Sequence, residues 1–310
     1  MHLTTHRPTL LLGANSVMGW SILRYGMLPN VVPVGSTPKS VIPNWISFGV
    51  DIRSEESIKR IIKSVKPALI IHAAGMCKVE KCEAFPDFAY DMNVLSTKHI
   101  LKYIEEETRL IYMSSDHVFG GNHGPYFEHT KRQPISVYGN TRCQAEDLVL
   151  KRKNSLVIRS GLWIGPSSTG RMGHLDWLKY RHFKKLPMTI VNDEFRSALW
   201  SSDAALAVRK LSFSQTEGIR HVNSKTIVDR PRLANHLSDL MGLKINFNVH
   251  PGKEQPAPHL GRVDFKSAFQ NGETDLIGVM ESLPPSDMEI GFWQHFPQAT
   301  KQAQLIGSNI

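Results

Sequence analysis

Two short segments, Ser114-Ser115-Asp116-His117-Val118-Phe119 and Tyr138-Gly139-Asn140-Thr141-Arg142, supply a serine hydroxyl, a tyrosine phenol and a guanidinium. Together such groups can protonate a carbonyl oxygen while a hydride reaches its carbon. A phenol starts near pKa ~10 and is brought toward working pH by a fixed cation beside it. A serine hydroxyl polarises the reacting oxygen. Residues four apart on a helix share a face, so Tyr138 and Arg142 can point into one cleft. Arginine provides charge and can donate to a ribose hydroxyl, but it does not readily give up a proton, which argues against a relay through it.

These residues need a scaffold, and the chain punctuates one. Thr9–Leu12 reads as a buried strand, followed by Gly13-Ala14-Asn15-Ser16-Val17-Met18-Gly19 and the start of a helix. A strand, a glycine-bearing turn and a helix N-terminus make a phosphate site, because free backbone N–H groups and the helix dipole face the anion. Gly13 allows the tight turn and Gly19 close helix–strand packing, while Ser16 stands at the middle position of the glycine fingerprint. A second strand, Val31–Val34, leads into Gly35-Ser36-Thr37-Pro38-Lys39 without the acid that would hold the ribose of NAD. Ser36 and Lys39 suit a 2′-phosphate, so the reading favours NADP over NAD.

The next units repeat the pattern. Trp45–Val50 reads as a strand and Asp51 as either an adenine contact or a turn residue. Ser54 is a predicted N-cap before Glu55 and Glu56, with Ile58, Ile61, Ile62 and Val65 on one face of the helix. Pro67 ends it, and Ala68–Ile71 delivers His72-Ala73-Ala74-Gly75 to the cofactor edge. A helix is predicted over Glu80–Glu106, carrying a buried Asn93 that can bridge backbone groups beside the cleft. Strand Arg109–Met113 then delivers Ser114 and Ser115 to the edge where open α/β sheets bind ligands. Alternating strands and helices predict an α/β fold, a Rossmann-type doubly wound parallel sheet with a smaller C-terminal substrate lobe.

The chain resembles the extended short-chain dehydrogenase/reductases, and among them dTDP-4-dehydrorhamnose reductase. The resemblance lies in Val50-Asp51-Ile52, His72–Gly75, Val79-Glu80-Lys81-Cys82-Glu83, Asn93-Val94, Ser114–Phe119 with Pro125-Tyr126, and Tyr138–Glu146. It covers roughly residues 8–165, more weakly to about 270. The regulatory beta subunit of methionine adenosyltransferase resembles the same stretches. The resemblance implies that Ser115, Tyr138 and Arg142 take the catalytic Ser/Thr, Tyr and Lys positions, with arginine in place of lysine. His117 takes a position that usually holds tyrosine. Leu162 stands where a tryptophan is usual, with Trp163 one residue late. Phe195-Arg196-Ser197-Ala198-Leu199 replaces a Gly-x-Pro-Thr pattern.

Cofactor contacts are accordingly expected from Gly13, Asn15, Ser16, Val17, Met18, Gly19, Ser36, Lys39, Asp51, Ile52, Ala73, Ala74, Gly75, Asn93, Ser114, Tyr138 and Arg142. Substrate contacts are expected from His117, Val118, Phe119, Leu162, Trp163 and Arg196. Arg196 can clamp a diphosphate bidentately, or stand at the surface before a helix over Ser202–Leu211. The implied domains are an NADP-binding part over 1–160 with return segments near 190–225, and a substrate lobe from 161–190 and 226–310.

At 310 residues and a formal charge of +9, the chain can hold a large core and favours anionic ligands. Lys151-Arg152-Lys153 and the stretch Lys179–Lys185 are basic, but no nucleic-acid-binding motif accompanies them; the first run is expected to complement a helix dipole. Cys77, Cys82 and Cys143 fit neither a disulfide framework nor a metal site, and no metal is expected. No span or leader stands out, so the expected location is cytoplasmic. Glu254–Pro258 reads as a loop and the tail after Pro297 as polar. The expected function is an NADP-dependent reductase of a 4-keto nucleotide sugar, as a homodimer or beside a partner enzyme. The competing readings are a silent NADP-binding regulatory or assembly protein, and a nucleotide-sugar epimerase or dehydratase.

Overall fold

A computed structural model describes residues 7–35, 48–122, 124–269 and 275–284. Ser36 and Lys39, the expected 2′-phosphate contacts, lie outside the described residues, as does the tail after Pro297. The chain opens with β1 (Thr9–Leu12), α1 (Val17–Tyr25), β2 (Val31–Gly35), β3 (Phe48–Gly49), α2 (Glu55–Val65) and β4 (Leu69–His72). Next come α3 (Val79–Ala84), α4 (Pro86–Tyr90), a π-helical turn over Asp91–Leu95, α5 (Ser96–Tyr103), β5 (Arg109–Met113), α6 (Val137–Val149) and β6 (Ser155–Ser160). The remainder supplies β7 (Leu162–Ile164), α7 (His174–Phe183), β8 (Thr189–Val191), β9 (Phe195–Arg196), β10 (Ala198–Trp200) and α8 (Ser201–Phe213). It closes with β11 (Gly218–Ser224), β12 (Val228–Asp229), α9 (Arg230–Leu240), β13 (Asn248–His250) and β14 (Asp275–Leu276).

The main sheet runs β14-β11-β6-β5-β4-β1-β2-β3, and its pairings are parallel. Order reverses between β1 and β4, and the carboxyl ends of the strands there form the crevice in which such sheets bind ligands. Both faces are covered, which is why the strands read as apolar runs rather than alternating patterns. Leu11, Ile71, Ile111, Met113 and Ile158 face one core with α1 and α8. Leu10, Leu12, Ile70, Leu110, Tyr112 and Val157 face the other with α2 and α5. The period of two along each strand thus sorts neighbouring residues to opposite layers.

Local signals explain most of the boundaries. Ser54 caps α2 by accepting from the Ser57 N–H, and Lys66 ends it in a left-handed conformation. The expected helix over Glu80–Glu106 is instead broken. Phe85 leaves helical geometry at φ −135° and ψ 68°, and Pro86 opens the next helix. Proline is tolerated in a first turn, where its missing N–H costs nothing. The π-helical turn then carries Asn93 before α5 begins. Of the predicted strand Trp45–Val50, only Phe48–Gly49 is a strand among the described residues.

The smaller lobe is built from short pairs: β7 with β10, β9 antiparallel to β12, and β8 with β13. Val118, Phe119, Tyr126, Leu260, Val263 and Phe265 form a small core beside the main sheet. Among the described residues, no helix is long and apolar enough to cross a membrane. The Arg152 guanidinium donates to the carbonyls of Glu105, Glu106 and Thr108, so it anchors the turn after α5 rather than serving the dipole of α6.

Gly19 shows how tightly α1 is seated. A Cβ there would lie 2.1 Å from the Gly13 carbonyl oxygen, a backbone atom that cannot swing away. Gly19→Ala is expected to cost about 1–3 kcal/mol by overpacking, read as a lower urea midpoint at unchanged slope. Wild-type stability in that variant would sink this account of the turn.

Candidate active site

The carboxyl end of β5 and the first turns of α6 bring the serine, the phenol and the guanidinium together. Ser136 caps α6 by accepting from the Gly139 N–H, which fixes where Tyr138 and Arg142 emerge. Both are buried, and the Arg142 guanidinium carbon lies 5.2 Å from the Tyr138 ring centroid. Arg142 Nη1 also donates to the Tyr112 hydroxyl at 2.9 Å and to the Met113 carbonyl at 3.3 Å. Among the described residues no carboxylate forms a salt bridge with it, and its Nε–H is buried without a hydrogen-bond partner.

Burial works against the Arg142 charge, but the oxygens of Tyr112 and Tyr138 more than offset it and raise its pKa. For Tyr138 the balance goes the other way from the sequence expectation. Burial raises the phenol, Arg142 and the Ser115 side chain pull it down, and burial wins. The phenol therefore keeps its proton at neutral pH, the state required of a proton donor.

Ser115 caps a short 3-10 turn over Asp116–Val118, accepting from the His117 N–H and donating to Asp116 Oδ1 at 3.1 Å. The His117 ring meets Tyr138 edge-on, with centroids 5.1 Å apart. Burial, with Arg196 next in size, pushes His117 from an ordinary 6.5 to about 4, so it is neutral at pH 7. Asn93 bridges the Met76 backbone, accepting from its N–H at 2.8 Å and donating to its carbonyl at 3.0 Å, and it donates to Thr141 on α6. A Cβ on Gly75 would meet Asn93 Oδ1 at 2.5 Å and Arg142 Nη2 at 2.8 Å, and its φ of +151° also favours glycine.

Several expected ligand contacts are occupied elsewhere. The Arg196 guanidinium does not stand free to clamp a diphosphate. Its Nε and Nη2 donate to Asp116 at 2.5 and 2.6 Å, and Nη1 donates to Glu194 at 3.0 Å. Val118 and Phe119 are fully buried in the small core. Trp163 packs into the main core and donates to the Ser160 hydroxyl, while Leu162 lines the cleft in its place. The Ser114 hydroxyl donates to buried Glu146, which also holds Arg159 and Arg132, so its side chain is turned from the cofactor edge. Asp51 pairs with Arg53, and Ile52 is core.

At the helical turn of the glycine motif, Ser16 caps α1 by accepting from the Gly19 N–H and donates to the Gly13 carbonyl. Gly13 has a φ of +89°, and a Cβ there would meet the Ala73 backbone at 2.6 Å. Asn15 donates to Ser168 of the loop before α7. Val17 and Ala74 are buried, while Met18 and Ala73 are partly buried against the main core.

A cleft of about 470 Å³ opens beside His117, with Leu162, His174, Trp177, Ile190 and Arg230 among its lining. Sequence reasoning missed its charged floor. Glu194 accepts from Arg196, from Arg230 at 3.1 Å and pairs with His259 at 3.0 Å. Burial alone would raise that carboxyl, but Arg230, His259 and Arg196 hold it well below the usual range. The one available signal was the two-residue spacing of Glu194, just before β9, and Arg196 within it, which places both side chains on one side of an extended segment.

The family profile described as "RmlD substrate binding domain" matches residues 7–281. The chain is 27% identical over 197 residues to the dTDP-4-dehydrorhamnose reductase of Escherichia coli strain K12, covering 60% of each protein. It is 22% identical over 289 residues to methionine adenosyltransferase 2 subunit beta of Danio rerio, covering 91% of this chain and 88% of that one. A crystal structure of the Bacillus anthracis dTDP-4-dehydrorhamnose reductase in complex with NADP superposes with a TM-score of 0.73. It has 19% identity and covers 88% of this chain and 95% of that chain, a likeness of fold.

Removing one member of a buried ion pair leaves the other uncompensated. Arg196→Met is therefore expected to destabilise the chain by about 3–5 kcal/mol, with Asp116→Asn recovering part of the loss in the double variant; equal losses for exposed and buried arginines would contradict this. Acid should also destabilise the fold. Burial pushes His72 down to about 3 and, with Arg196, His117 to about 4, from ordinary values of 6.5. The unfolded chain binds these protons first, so stability is full above pH 6.5 and falls as pH drops toward 4. Urea midpoints across that window are expected to decline, less steeply for His72→Phe.

Proposed function

Because the chain belongs to the RmlD substrate binding domain family, we propose that it is an NADP-dependent reductase of a 4-keto nucleotide sugar. The observation that carries this reading is the packing of Tyr138 between the Arg142 guanidinium and His117, at the carboxyl edge of a parallel sheet and beside a cleft. The dinucleotide part would be 1–160 with return segments near 190–225, and the substrate lobe 161–190 with 226–310.

The residues present fit a dinucleotide. Gly13 and Gly75, at positive φ with no room for a Cβ against Ala73 or Arg142, keep the backbone tight at the sheet edge, α1 has no acid in its first turn, and the unpartnered Arg142 Nε–H is a donor of the kind a ribose hydroxyl takes. NADPH, when bound, supplies hydride to the keto carbon. Tyr138, protonated at neutral pH, gives its proton to the developing alkoxide. Ser115 donates to that oxygen after turning from Asp116. Arg142 stabilises the phenolate left behind and holds the ribose. Its guanidinium keeps its own proton throughout, so the phenol regains a proton from solvent along another route.

A second reading has two observations behind it. Arginine stands where the resemblance implies lysine, and the regulatory subunit from Danio rerio aligns along most of the chain. The chain would then bind the dinucleotide without turnover and assemble with a partner enzyme.

Loss of reduced-nicotinamide absorbance with a dTDP-4-keto-6-deoxy sugar separates the two. Wild type is expected to turn over, Tyr138→Phe to lose roughly 10²–10⁴-fold in kcat, and Arg142→Lys to remain active. Activity of the lysine variant beside a silent wild type would favour the regulatory reading.

A further inference from the structure

Two thiols meet where the chain leaves the sheet edge and enters α3. Cys77 is exposed and lies on the wall of the cleft. Cys82 is fully buried and packs in one small cluster with Ala89 and Tyr138. Lys78 is the cap residue of α3, and its carbonyl accepts from the Cys82 N–H at 3.0 Å. Cys77 therefore immediately precedes the cap and Cys82 is the fourth helical residue, the two positions whose side chains meet across a helix entrance. The Cys82 thiol lies 3.9 Å from the carbonyl oxygen of Met76, the residue bonded to Cys77, in keeping with that approach. The turn into α3 creates this pairing, which spacing along the chain conceals.

The two sulfurs differ in access. Burial pushes the Cys82 thiol up to about 11, so it keeps its proton at neutral pH and does not react first. Cys77 is the sulfur that a small oxidant reaches. Its neighbour Met76 is held at both its N–H and its carbonyl by Asn93, which also donates to Thr141 on α6. The Thr141 hydroxyl donates in turn to the Tyr138 carbonyl. A displacement at residue 77 therefore has a hydrogen-bonded route to the helix that carries the phenol and Arg142.

We propose that Cys77 and Cys82 are an oxidisable pair, which a hydroperoxide converts to a disulfide that slows the neighbouring site. The Cys77 sulfur attacks the peroxide oxygen, giving a sulfenic acid and releasing water or the corresponding alcohol. The Cys82 sulfur then attacks the sulfenic sulfur. The S–S bond forms, and the departing hydroxide takes the Cys82 proton as water. Two thiols are oxidised and one peroxide is reduced. Closing the bond draws residue 77 from the cleft wall toward α3 and pulls on Met76. The effect on turnover rests on the reductase reading above; the pairing itself does not.

Hydrogen peroxide added to the reduced full chain, followed by tryptic mapping without reductant, tests the pair. Cleavage after Lys78 and Lys81 separates the two cysteines, so their peptides stay together only through a disulfide. The linked peptides are expected to appear and to part on adding dithiothreitol, with Cys143 still a free thiol. In the NADPH assay above, treated wild type is expected to lose about tenfold or more in turnover and to regain it with dithiothreitol. Cys82→Ala, compared with its own untreated rate, is expected to keep most of its turnover. Absence of the linked peptides overturns the proposal, and so does an equal peroxide loss in Cys82→Ala. Linked peptides with unchanged turnover overturn the coupling to the site. A wild type silent before any peroxide sinks the reductase reading instead, and the peptide map alone then decides the pair. Should Cys82→Ala fail to fold, the wild-type map and its recovery with dithiothreitol still decide.

Discussion

The bidentate pair between Asp116 and Arg196 is the contact on which the geometry of this site depends. It joins a turn at the end of β5 to a strand of the smaller lobe, across eighty residues of chain. Both groups are buried, so the pair is an obligation as much as a gain: each charge is tolerable only while the other is present. Asp116 receives the Ser115 hydroxyl, and Arg196 passes the linkage to Glu194, which gathers Arg230 and His259. One ion pair thereby links the serine turn beside Tyr138 to the charged residues of β9 and α9.

Arg142 imposes a second constraint of a different kind. It is a buried cation that, among the described residues, donates to a tyrosine hydroxyl and a backbone carbonyl instead of a carboxylate. A carboxylate would neutralise its field; the Tyr112 hydroxyl and the Met113 carbonyl satisfy two donor contacts and leave the charge beside the Tyr138 ring. The width of the guanidinium explains neighbours that a smaller ammonium would not require. Gly75 must lack a side chain beside Nη2, and Tyr112 must present its hydroxyl across the sheet from the same position. The arginine is therefore packed as part of the site, with the surrounding residues shaped to it.

Much of the scaffold was legible because local physics writes it. The Ser54 cap, the isoleucine face of α2 and the apolar runs of β1, β4 and β5 each follow from spacing within a few residues. Asn93 was legible too, since a buried amide in a helix beside a cleft must find backbone partners. The failures concern partners far apart in sequence. Arg196 reads as an anion clamp until Asp116 is brought against it, and Ser114 reads as a cleft residue until Glu146 takes its hydroxyl. Trp163 follows the motif in order but not in direction, because neighbouring residues leave a strand on opposite sides, and Val118 and Phe119 are drawn together into the small core by Leu260, Val263 and Phe265, distant in sequence. The long helix failed at Phe85, where the proline that follows disfavours helical geometry in the residue before it.

The distribution of charge divides the crevice in a way that net charge conceals. A formal +9 says only that the chain favours anions. On the sheet side, Arg142 is a buried cation with no carboxylate partner among the described residues, and the turn before α1 has no acid in its helix's first turn. On the lobe side, every buried carboxylate of the floor is matched by arginine, and the nearby histidines are neutral. The proposed nucleotide sugar, anionic at one end and merely polar at the other, would match a field of one sign on one wall and balanced charge on the other. Tyr138 stands where the two walls meet, in contact with Arg142 from one and His117 from the other. Under the proposed reductase reading, that position would let its proton respond to charge developing on a bound oxygen, while burial keeps it in place beforehand.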